Sequence, residues 1–257
     1  MPGLEKLLRG ILRYHQGTKQ EMVHQLNSFK ANPKAVAMYF SCMDCRLQPS
    51  LITDTRPGDM FVVRNPGNLI PHARHCNLQE SVTGEPAALE LTCVKLEIRD
   101  VIVCGHSDCK AMEGLHNFKG QCSHDEGSPL GNWLKKYGGD SLEKFSQLTA
   151  ENNYRGPLKF EGAAKKFDFE AFIDPQKKLS ECDKLSQVNC LQQLTNISSY
   201  PFMKEKIIMN KVHLHAFWFD IHTGDVFMFS RPRKQFLEIN EDTYDSLVSE
   251  TQTASPA

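Results

Sequence analysis

The amino-acid sequence predicts an α/β fold in which helices flank a mainly parallel central β-sheet, with an N-terminal helical arm in front of it. Three observations predict this class. Apolar runs of strand length recur along the chain, a helical pattern separates two of them, and a Thr-Gly-Asp turn precedes the last one. We therefore expect about four parallel strands plus one antiparallel C-terminal strand, flanked by helices.

The first half of the chain alternates helical patterns with apolar runs. Residues 3–31 have helical spacing and form the predicted arm. Helices are then expected at 47–55 and 85–97, and buried strands at 35–41, 60–63 and 101–105. Because a helix connects the last two strands, their pairing is expected to be parallel.

The second half begins with a stretch that Gly and polar residues interrupt, and this pattern predicts a helical insertion over residues 112–175. The elements expected after it are a long helix at 178–198, a strand at 212–219, an antiparallel strand at 226–229 and a frayed tail at 250–257. A single domain spanning residues 1–257 accommodates all of these elements.

Composition narrows the function. The chain has 257 residues, of which 40% are apolar, so a sizeable core can form. Its 30 basic and 31 acidic residues nearly balance, which indicates neither a nucleic acid nor an anionic membrane surface as partner. No apolar run approaches the roughly 20 residues of a membrane span. Nine cysteines, an odd number, favour metal or redox chemistry in a reducing compartment. We expect an intracellular location, either cytoplasmic or mitochondrial.

The N-terminal segment combines apolar and basic residues. Its apolar positions are Leu4, Leu7, Leu8, Ile11 and Leu12, which have helical spacing. A mitochondrial transit peptide is also basic and amphipathic, but Glu5, Glu21 and the shortage of Ser count against that interpretation. We favour a mature helix that packs on a partner subunit.

Two short segments carry most of the chemistry. Cys42 follows the apolar run at 35–41, while His106 and Cys109 follow the run at 101–105. If these strands are neighbours in a parallel sheet, their carboxyl ends open into one crevice. Thiolates and imidazole are ligands that zinc accepts in a tetrahedral site. The sequence therefore predicts that Cys42, His106 and Cys109 bind one zinc ion.

Three protein ligands leave one coordination position for water. Zinc lowers the pKa of such a water to roughly 7, although two thiolates acidify it less than neutral imidazoles would. A hydrogen-bond acceptor that orients the resulting hydroxide is therefore useful. Asp44 can be that acceptor, and Arg46 can hold Asp44 ionised through a fork of two hydrogen bonds.

The same residues allow two other sites. Cys42 and Cys45 form a Cys-x-x-Cys pair, which is typical of a thioredoxin-like dithiol reductase. Cys45 can also complete a closed Cys₃His zinc site, which would make the protein a non-catalytic binding module. The direction of the Cys45 side chain decides: pointing into the crevice it closes the site or makes it redox active, and pointing away it leaves the site open.

At these residues the chain strongly resembles the β-class carbonic anhydrases, especially the animal members. The family's Cys-x-Asp-x-Arg matches residues 42–46, and its Gly-His-Ser-x-Cys matches residues 105–109. Three further segments are similar to the family. Residues 61–68 match its second strand and the following loop, residues 85–90 match its helix before the strand that precedes His106, and residues 220–224 match its closing hairpin. The resemblance covers about residues 3–236 and is weakest over 112–175.

The resemblance implies zinc-dependent, reversible hydration of CO₂ to bicarbonate and a proton, by attack of zinc-bound hydroxide on CO₂. It implies one Zn²⁺ per chain, bound by Cys42, His106 and Cys109. By family analogy, Asp44 and Arg46 form the catalytic dyad. In some members the aspartate itself ligates zinc in an inactive state, so Asp44 is also a possible fourth ligand.

The resemblance further bears on two positions and on assembly. The family position that matches Cys45 is often Ser, which argues against a fourth thiolate ligand. The family usually has Gly where this chain has Lys110, and Lys is a poorer fit if that backbone needs a positive φ.

Family members are dimers or dimers of dimers in which an N-terminal helix embraces the partner. We therefore expect a homodimer or dimer of dimers, with the leucine stripe at 4–12 in the interface.

Overall fold

The structure, a computed structural model, describes residues 3–76, 83–118, 128–148 and 156–253. Its strands are β1 (Ala37–Cys42), β2 (Met60–Asn65), β3 (Asp100–His106), β4 (Leu158–Phe160), β5 (Phe169–Ala171), β6 (His213–Phe219), β7 (Val226–Ser230) and β8 (Gln235–Glu238). Six of them form one sheet in the order β2-β1-β3-β6-β7-β8. The first four strands of this order are parallel, β7 is antiparallel to β6, and β8 is antiparallel to β7. The predicted fold class is confirmed, and β8 is a further strand that was not expected.

Helices cover this sheet and precede it. They are α1 (Gly3–Gln16), α2 (Lys19–Ala31), α3 (Pro49–Ile52), α4 (Gly84–Leu89), α5 (Lys110–His116), α6 (Pro129–Ser146), α7 (Glu181–Ser198), α8 (Pro201–Ile208) and α9 (Glu241–Thr253). The helix expected at 85–97 is observed as α4 followed by a π-helical segment, Glu90–Lys95. The described residues contain no helix long and apolar enough to cross a membrane.

The strand order creates a crevice at one edge of the sheet. β1 lies between β2 and β3, so the predicted direct pairing of strands 60–63 and 101–105 is wrong, although both are parallel to β1. The chain moves from β1 to β2 on one side and then crosses to β3 on the other side. Such a reversal is the point at which open parallel sheets bind ligands, outside the carboxyl ends of their strands.

Three other expectations need correction. Within the predicted helical insertion at 112–175, the described part also contains an antiparallel sheet of β4 and β5, while 119–127 and 149–155 lie outside the described residues. The strand at 60–63 is not buried in this chain, because β2 is an edge strand. The tail at 250–257 is helical through Thr253, and Ser230 Oγ donates to Glu250 Oε1 at 2.7 Å, which ties the end of α9 to β7.

The core lies mainly between the sheet and α7. The predicted helix at 178–198 is confirmed as α7, which begins after Ser180, whose Oγ accepts from the Asp183 amide. This helix is buried on nearly all sides, polar residues included, because it packs between the sheet and α6. In contrast, α1 has no buried residue.

Candidate metal centre

The three predicted zinc ligands meet at the carboxyl edge of the sheet. β1 ends at Cys42 and β3 ends at His106, and the two strands are adjacent and parallel. Cys109 follows in a tight loop and directly precedes α5. All three residues are buried. The strand order thus brings together side chains that are more than sixty residues apart in sequence.

The spacing of the donor atoms fits a tetrahedral metal ion. One donor atom from each of Cys42, His106 and Cys109 lies within 4.8 Å of the other two, and the two sulfurs are 3.9 Å apart. Zinc–sulfur bonds of about 2.3 Å in a tetrahedron require a sulfur separation of about 3.8 Å. No other such group of His, Cys and acidic side chains occurs in the described ranges.

The imidazole of His106 is oriented for a metal. Its Nδ1 lies 2.8 Å from the carbonyl oxygen of Ser107, so Nδ1 carries the proton and donates. The Nε2 atom then carries a lone pair and can accept a hydrogen bond, yet it is buried without a hydrogen-bond partner. Metal-bound histidines typically donate their other ring N–H in this way. A zinc ion would bind the lone pair of this unpartnered nitrogen.

The two thiols are coupled electrostatically. The sulfurs of Cys42 and Cys109 share a hydrogen bond, and this contact lowers the pKa of Cys42 although burial opposes it. The same contact, together with burial, raises the pKa of Cys109. Backbone N–H groups of Gly67 at Cys42, and of Ala111 and Met112 at Cys109, favour the thiolate forms. Two sulfurs this close retain a proton between them unless a cation replaces it.

Asp44 and Arg46 form the predicted fork beside this cluster. Arg46 Nε donates to Asp44 Oδ1 at 3.0 Å, and Arg46 Nη2 donates to Asp44 Oδ2 at 2.7 Å. The Arg46 amide also donates to Oδ1, at 2.9 Å. These bonds hold the pKa of the Asp44 carboxyl well below its usual range and raise the pKa of Arg46. The Asp44 side chain is 12% exposed, so a small molecule can still reach it.

Asp108 is a contact that sequence reasoning missed. Its Oδ2 accepts from Arg46 Nη1 at 2.7 Å and its carbonyl oxygen accepts from Arg46 Nη2 at 3.0 Å. The Asp108 backbone has a φ of +50°, and its amide donates to Asp183 Oδ1 at 2.8 Å. Asp108 lies between the predicted ligands His106 and Cys109, and this position was the feature of the sequence that could have pointed to it. The Asp108 contacts link the Arg46 guanidinium to the loop that follows β3.

Two further side chains, Arg64 and Ser107, hold the loops that carry the predicted ligands. Arg64 donates to the carbonyl oxygens of Cys42, Asp44 and Leu47 at 3.1, 2.6 and 2.8 Å, which fixes the turn after β1. Ser107 Oγ donates to an oxygen of Asp220 at 2.8 Å, next to the closing hairpin. Sequence reasoning included these residues only in the family-like segments and gave them no role.

Cys45 points away from the cluster. Its side chain is exposed, and it is not among the three grouped ligands. This placement argues against both the closed four-ligand site and a dithiol that includes Cys45. Lys110 begins α5, and the positive φ of this loop falls at Asp108 instead. The expected misfit of Lys at that position is therefore absent.

Comparisons with known proteins agree with this geometry. The model of the carbonic anhydrase family matches residues 37–226. The chain is 43% identical to Beta carbonic anhydrase 1 of Caenorhabditis briggsae over 260 aligned positions, which cover 98% of this chain and 94% of that protein. It is 41% identical to Beta carbonic anhydrase 1 of Caenorhabditis elegans, with the same coverage.

Solved structures show the same architecture. The β-carbonic anhydrase CcaA superposes with a TM-score of 0.72 at 26% identity, covering 93% of this chain and 92% of that one. A β-carbonic anhydrase of Sordaria macrospora, described as tetrameric, superposes with a TM-score of 0.61 at 18% identity, covering 90% and 98% of the two chains. The second likeness is one of fold alone.

Proposed function

This chain belongs to the β-carbonic anhydrase family, and from that membership we propose that Cys42, His106 and Cys109 hold its zinc ion while Asp44 and Arg46 form the catalytic dyad. The family catalyses zinc-dependent, reversible hydration of carbon dioxide, and this chain is a carbonic anhydrase. The observation that carries the residue assignment is the buried, unpartnered Nε2 of His106 in a cluster with two sulfurs 3.9 Å apart.

The three ligand residues supply a soft donor set with a neutral imidazole, which suits one zinc ion per chain. When bound, zinc acidifies a water molecule and so provides hydroxide near neutral pH. The chain contributes the shape of the site. The Ser107 carbonyl fixes the imidazole tautomer, and the strand ends fix the two sulfurs. None of these groups has to move before the reaction, and such preorganisation lowers the barrier.

Asp44 acts as a hydrogen-bond acceptor at its Oδ2 atom. Its Oδ1 already accepts from both the amide and the Nε of Arg46, which occupies that oxygen. Oδ2 accepts from Arg46 Nη2 and retains a second lone pair. With zinc bound, that lone pair would accept a hydrogen bond from the oxygen that the ion activates and so would orient it. Because Arg46 keeps the carboxylate ionised, this acceptor is available at neutral pH.

The Arg46 fork supports an open fourth metal position. Asp44 is outside the grouped ligand atoms, and moving onto the metal would cost it the hydrogen bonds from the Arg46 side chain. An inactive state with Asp44 as fourth ligand therefore needs an event that first releases Arg46. Asp108 opposes such a release, because it holds the same guanidinium from the other side.

We also propose that the protein, one domain over residues 1–257, assembles as a homodimer or dimer of dimers through α1. The leucine stripe, Leu4 to Leu12, has no buried residue within the described chain. A stripe of this kind is stabilised when a second copy covers it. The tetrameric description of the Sordaria macrospora enzyme is compatible with this assembly. No contact with nucleic acid is proposed.

An intracellular location, cytoplasmic or mitochondrial, fits the cysteine chemistry. The eight cysteines within the described residues are all free thiols. Thiols persist in reducing compartments, whereas exported proteins commonly form disulfides. Fractionation of cells that express the native protein would place it in one compartment.

The decisive experiment compares Asp44→Asn with the wild type. Zinc content should stay at one per chain, while stopped-flow CO₂ hydration should fall by about 10²- to 10⁴-fold, because the acceptor is lost and the ligands remain. Asp54→Asn is the matched control, since Asp54 is exposed and has a left-handed backbone that Asn also tolerates. Unchanged turnover in Asp44→Asn would contradict the dyad assignment.

The same assays separate the other function classes. A non-catalytic zinc-stabilised module would contain zinc but show no CO₂ hydration in the wild type. A dithiol reductase would lose disulfide exchange in Cys45→Ser, whereas the proposed enzyme should keep full CO₂ hydration in that variant.

A further inference from the structure

A cavity of about 420 Å³ lies at the amino end of the parallel strands, away from the metal centre. β6 begins at His213, which pairs with Asp100, and ends at Phe219, which pairs with His106 of the metal centre. The first residue of β6 therefore lies at the opposite end of the strands from the metal centre. The cavity lies at the start of β6. We call it the distal cavity, and its apolar wall consists of Leu194, Ile207, Val212, Leu214, Met228 and Phe229. Its volume falls within the range of small-molecule sites.

Arg231 is the unusual group in this wall. Its guanidinium carbon lies 4.5 Å from the ring centroid of Phe167 and 4.8 Å from that of Phe169. Among the described residues no carboxylate pairs with it, and burial alone lowers the pKa of Arg231 to about 10. The side chain is therefore still a cation at neutral pH. Its five N–H donors have no protein acceptor in the described chain.

Glu250 is the one acid among the described residues that line the cavity, and its Oε1 accepts from Ser230 Oγ at 2.7 Å. His215 is paired with Asp100, whose Oδ1 lies 2.9 Å from His215 Nε2. Lys166 adds a second cation at the wall. The two cations, Arg231 and Lys166, outnumber the single carboxylate of Glu250 in the lining, so the net charge of the distal cavity favours an anion.

We propose that the distal cavity binds an amphipathic carboxylate, with the carboxylate on Arg231 and an apolar body along the wall formed by β6, β7 and their covering helices. Arg231 is half-buried, and its planar guanidinium presents paired N–H donors that match a carboxylate. The two phenylalanine rings hold the guanidinium plane in place, which reduces the ordering cost on binding. This binding site is separate from the site of CO₂ hydration, because it lies at the amino end of the parallel strands and the metal centre lies at their carboxyl end.

The test is calorimetric titration of decanoate into the zinc-loaded, full-length protein at pH 7. One saturable site per chain is expected. Arg231→Met keeps a side chain of similar length without the charge, and it should weaken decanoate binding at least tenfold. Arg233→Met is the matched control, because Arg233 is exposed in the same turn, and it should bind as the wild type does. Decanol, which lacks the carboxylate, should bind the wild type at least tenfold more weakly than decanoate.

Three results would overturn the proposal: no saturable decanoate binding, equal binding by Arg231→Met, or equal binding of decanol and decanoate. CO₂ hydration and circular dichroism report whether Arg231→Met is folded, and its hydration rate should match the wild type. If that variant does not fold, the methyl resonance of Met228 decides on the wild-type protein. Decanoate must shift this resonance, because Met228 lines the cavity. An unmoved resonance at saturation places the ligand elsewhere and rejects the site.

Discussion

The metal centre and helix α1 differ in where their side chains find partners. At the centre, Arg46 is bound by Asp44 and Asp108, and the ring Nδ1 of His106 is bound by a backbone carbonyl. In α1 no residue is buried, and the five apolar side chains of the leucine stripe are 53–68% exposed. In the first region these polar groups find their partners within one chain. The second is incomplete without another surface.

At the centre, the parallel strands β1 and β3 hold both loops at fixed distances inside a single chain. In α1, the exposed apolar side chains need a second surface to cover them. Substitutions at the centre should therefore change zinc binding or rate without changing assembly. Substitutions in the stripe should change assembly first.

Loss of a metal ligand should have the largest effect. Cys42→Ser is expected to lower zinc content to near zero and CO₂ hydration by more than about a thousandfold, because a hydroxyl is a poor zinc ligand and no acidified water forms. Cys45→Ser is the same substitution three positions away, and it should leave both unchanged. Metal analysis and stopped-flow assays measure the two effects. Zinc retained in Cys42→Ser would break the assignment of this ligand.

Disruption of the stripe should have the next largest effect. Leu8→Glu removes an apolar side chain from each half of a symmetric contact, which should cost about 3 kcal/mol or more per dimer and raise Kd about a hundredfold. Arg9→Gln is the control, because Arg9 pairs with Glu5 on another face of α1. Light scattering over a concentration series reports the association. A Leu8→Glu variant that assembles like the wild type would refute the proposed interface.

Asp108→Asn should have a smaller effect at the centre. It removes one charged acceptor from Arg46 while Asp44 keeps its fork. We expect kcat to fall about tenfold with zinc content and assembly unchanged, a typical cost for a residue that orients a catalytic group. Asp54→Asn again serves as control. A rate equal to that of wild type would mean that Asp44 alone positions Arg46.

The smallest effect should come from Asp100 and His215, a hydrogen-bonded pair that belongs neither to the metal centre nor to α1. Burial opposes ionisation of Asp100, but the hydrogen bond with His215 and the nearby charges of His215, His213 and Arg99 together outweigh it and lower the pKa of Asp100. A carboxyl with a lowered folded pKa contributes stability above its unfolded pKa of about 3.9, and this contribution is lost as pH falls below that value. Asp100→Asn should therefore flatten the acid-induced loss of thermal stability only slightly, since Asp100 is 46% exposed. Identical melting profiles at every pH would show that the pair contributes nothing.

Much of the site could be predicted from the sequence. Cys42, His106 and Cys109 each follow an apolar run by a short spacing, and Asp44 and Arg46 belong to the same turn as Cys42. Local spacing and the ligand preferences of zinc are enough to group such residues. The strands and α7 were predictable for a similar reason, because hydrophobic periodicity is a local property of the chain.

Contacts between distant segments were not predictable in the same way. Asp108 reaches Arg46 across 62 positions, and Arg64 reaches three carbonyls of the turn after β1. Nothing in either local pattern requires these pairs. They follow from the placement of β1 between β2 and β3, which sequence analysis did not predict.

The sequence by itself determined the secondary-structure pattern, the candidate zinc ligands and the Asp44–Arg46 fork, because each depends on residues close together or on the chemistry of one side chain. Only the tertiary structure decided that Cys45 is exposed, that Asp108 holds Arg46, and that Arg231 lines the distal cavity. The physical reason is that side-chain direction and pairing across the fold depend on strand order and packing, which no short stretch of sequence specifies.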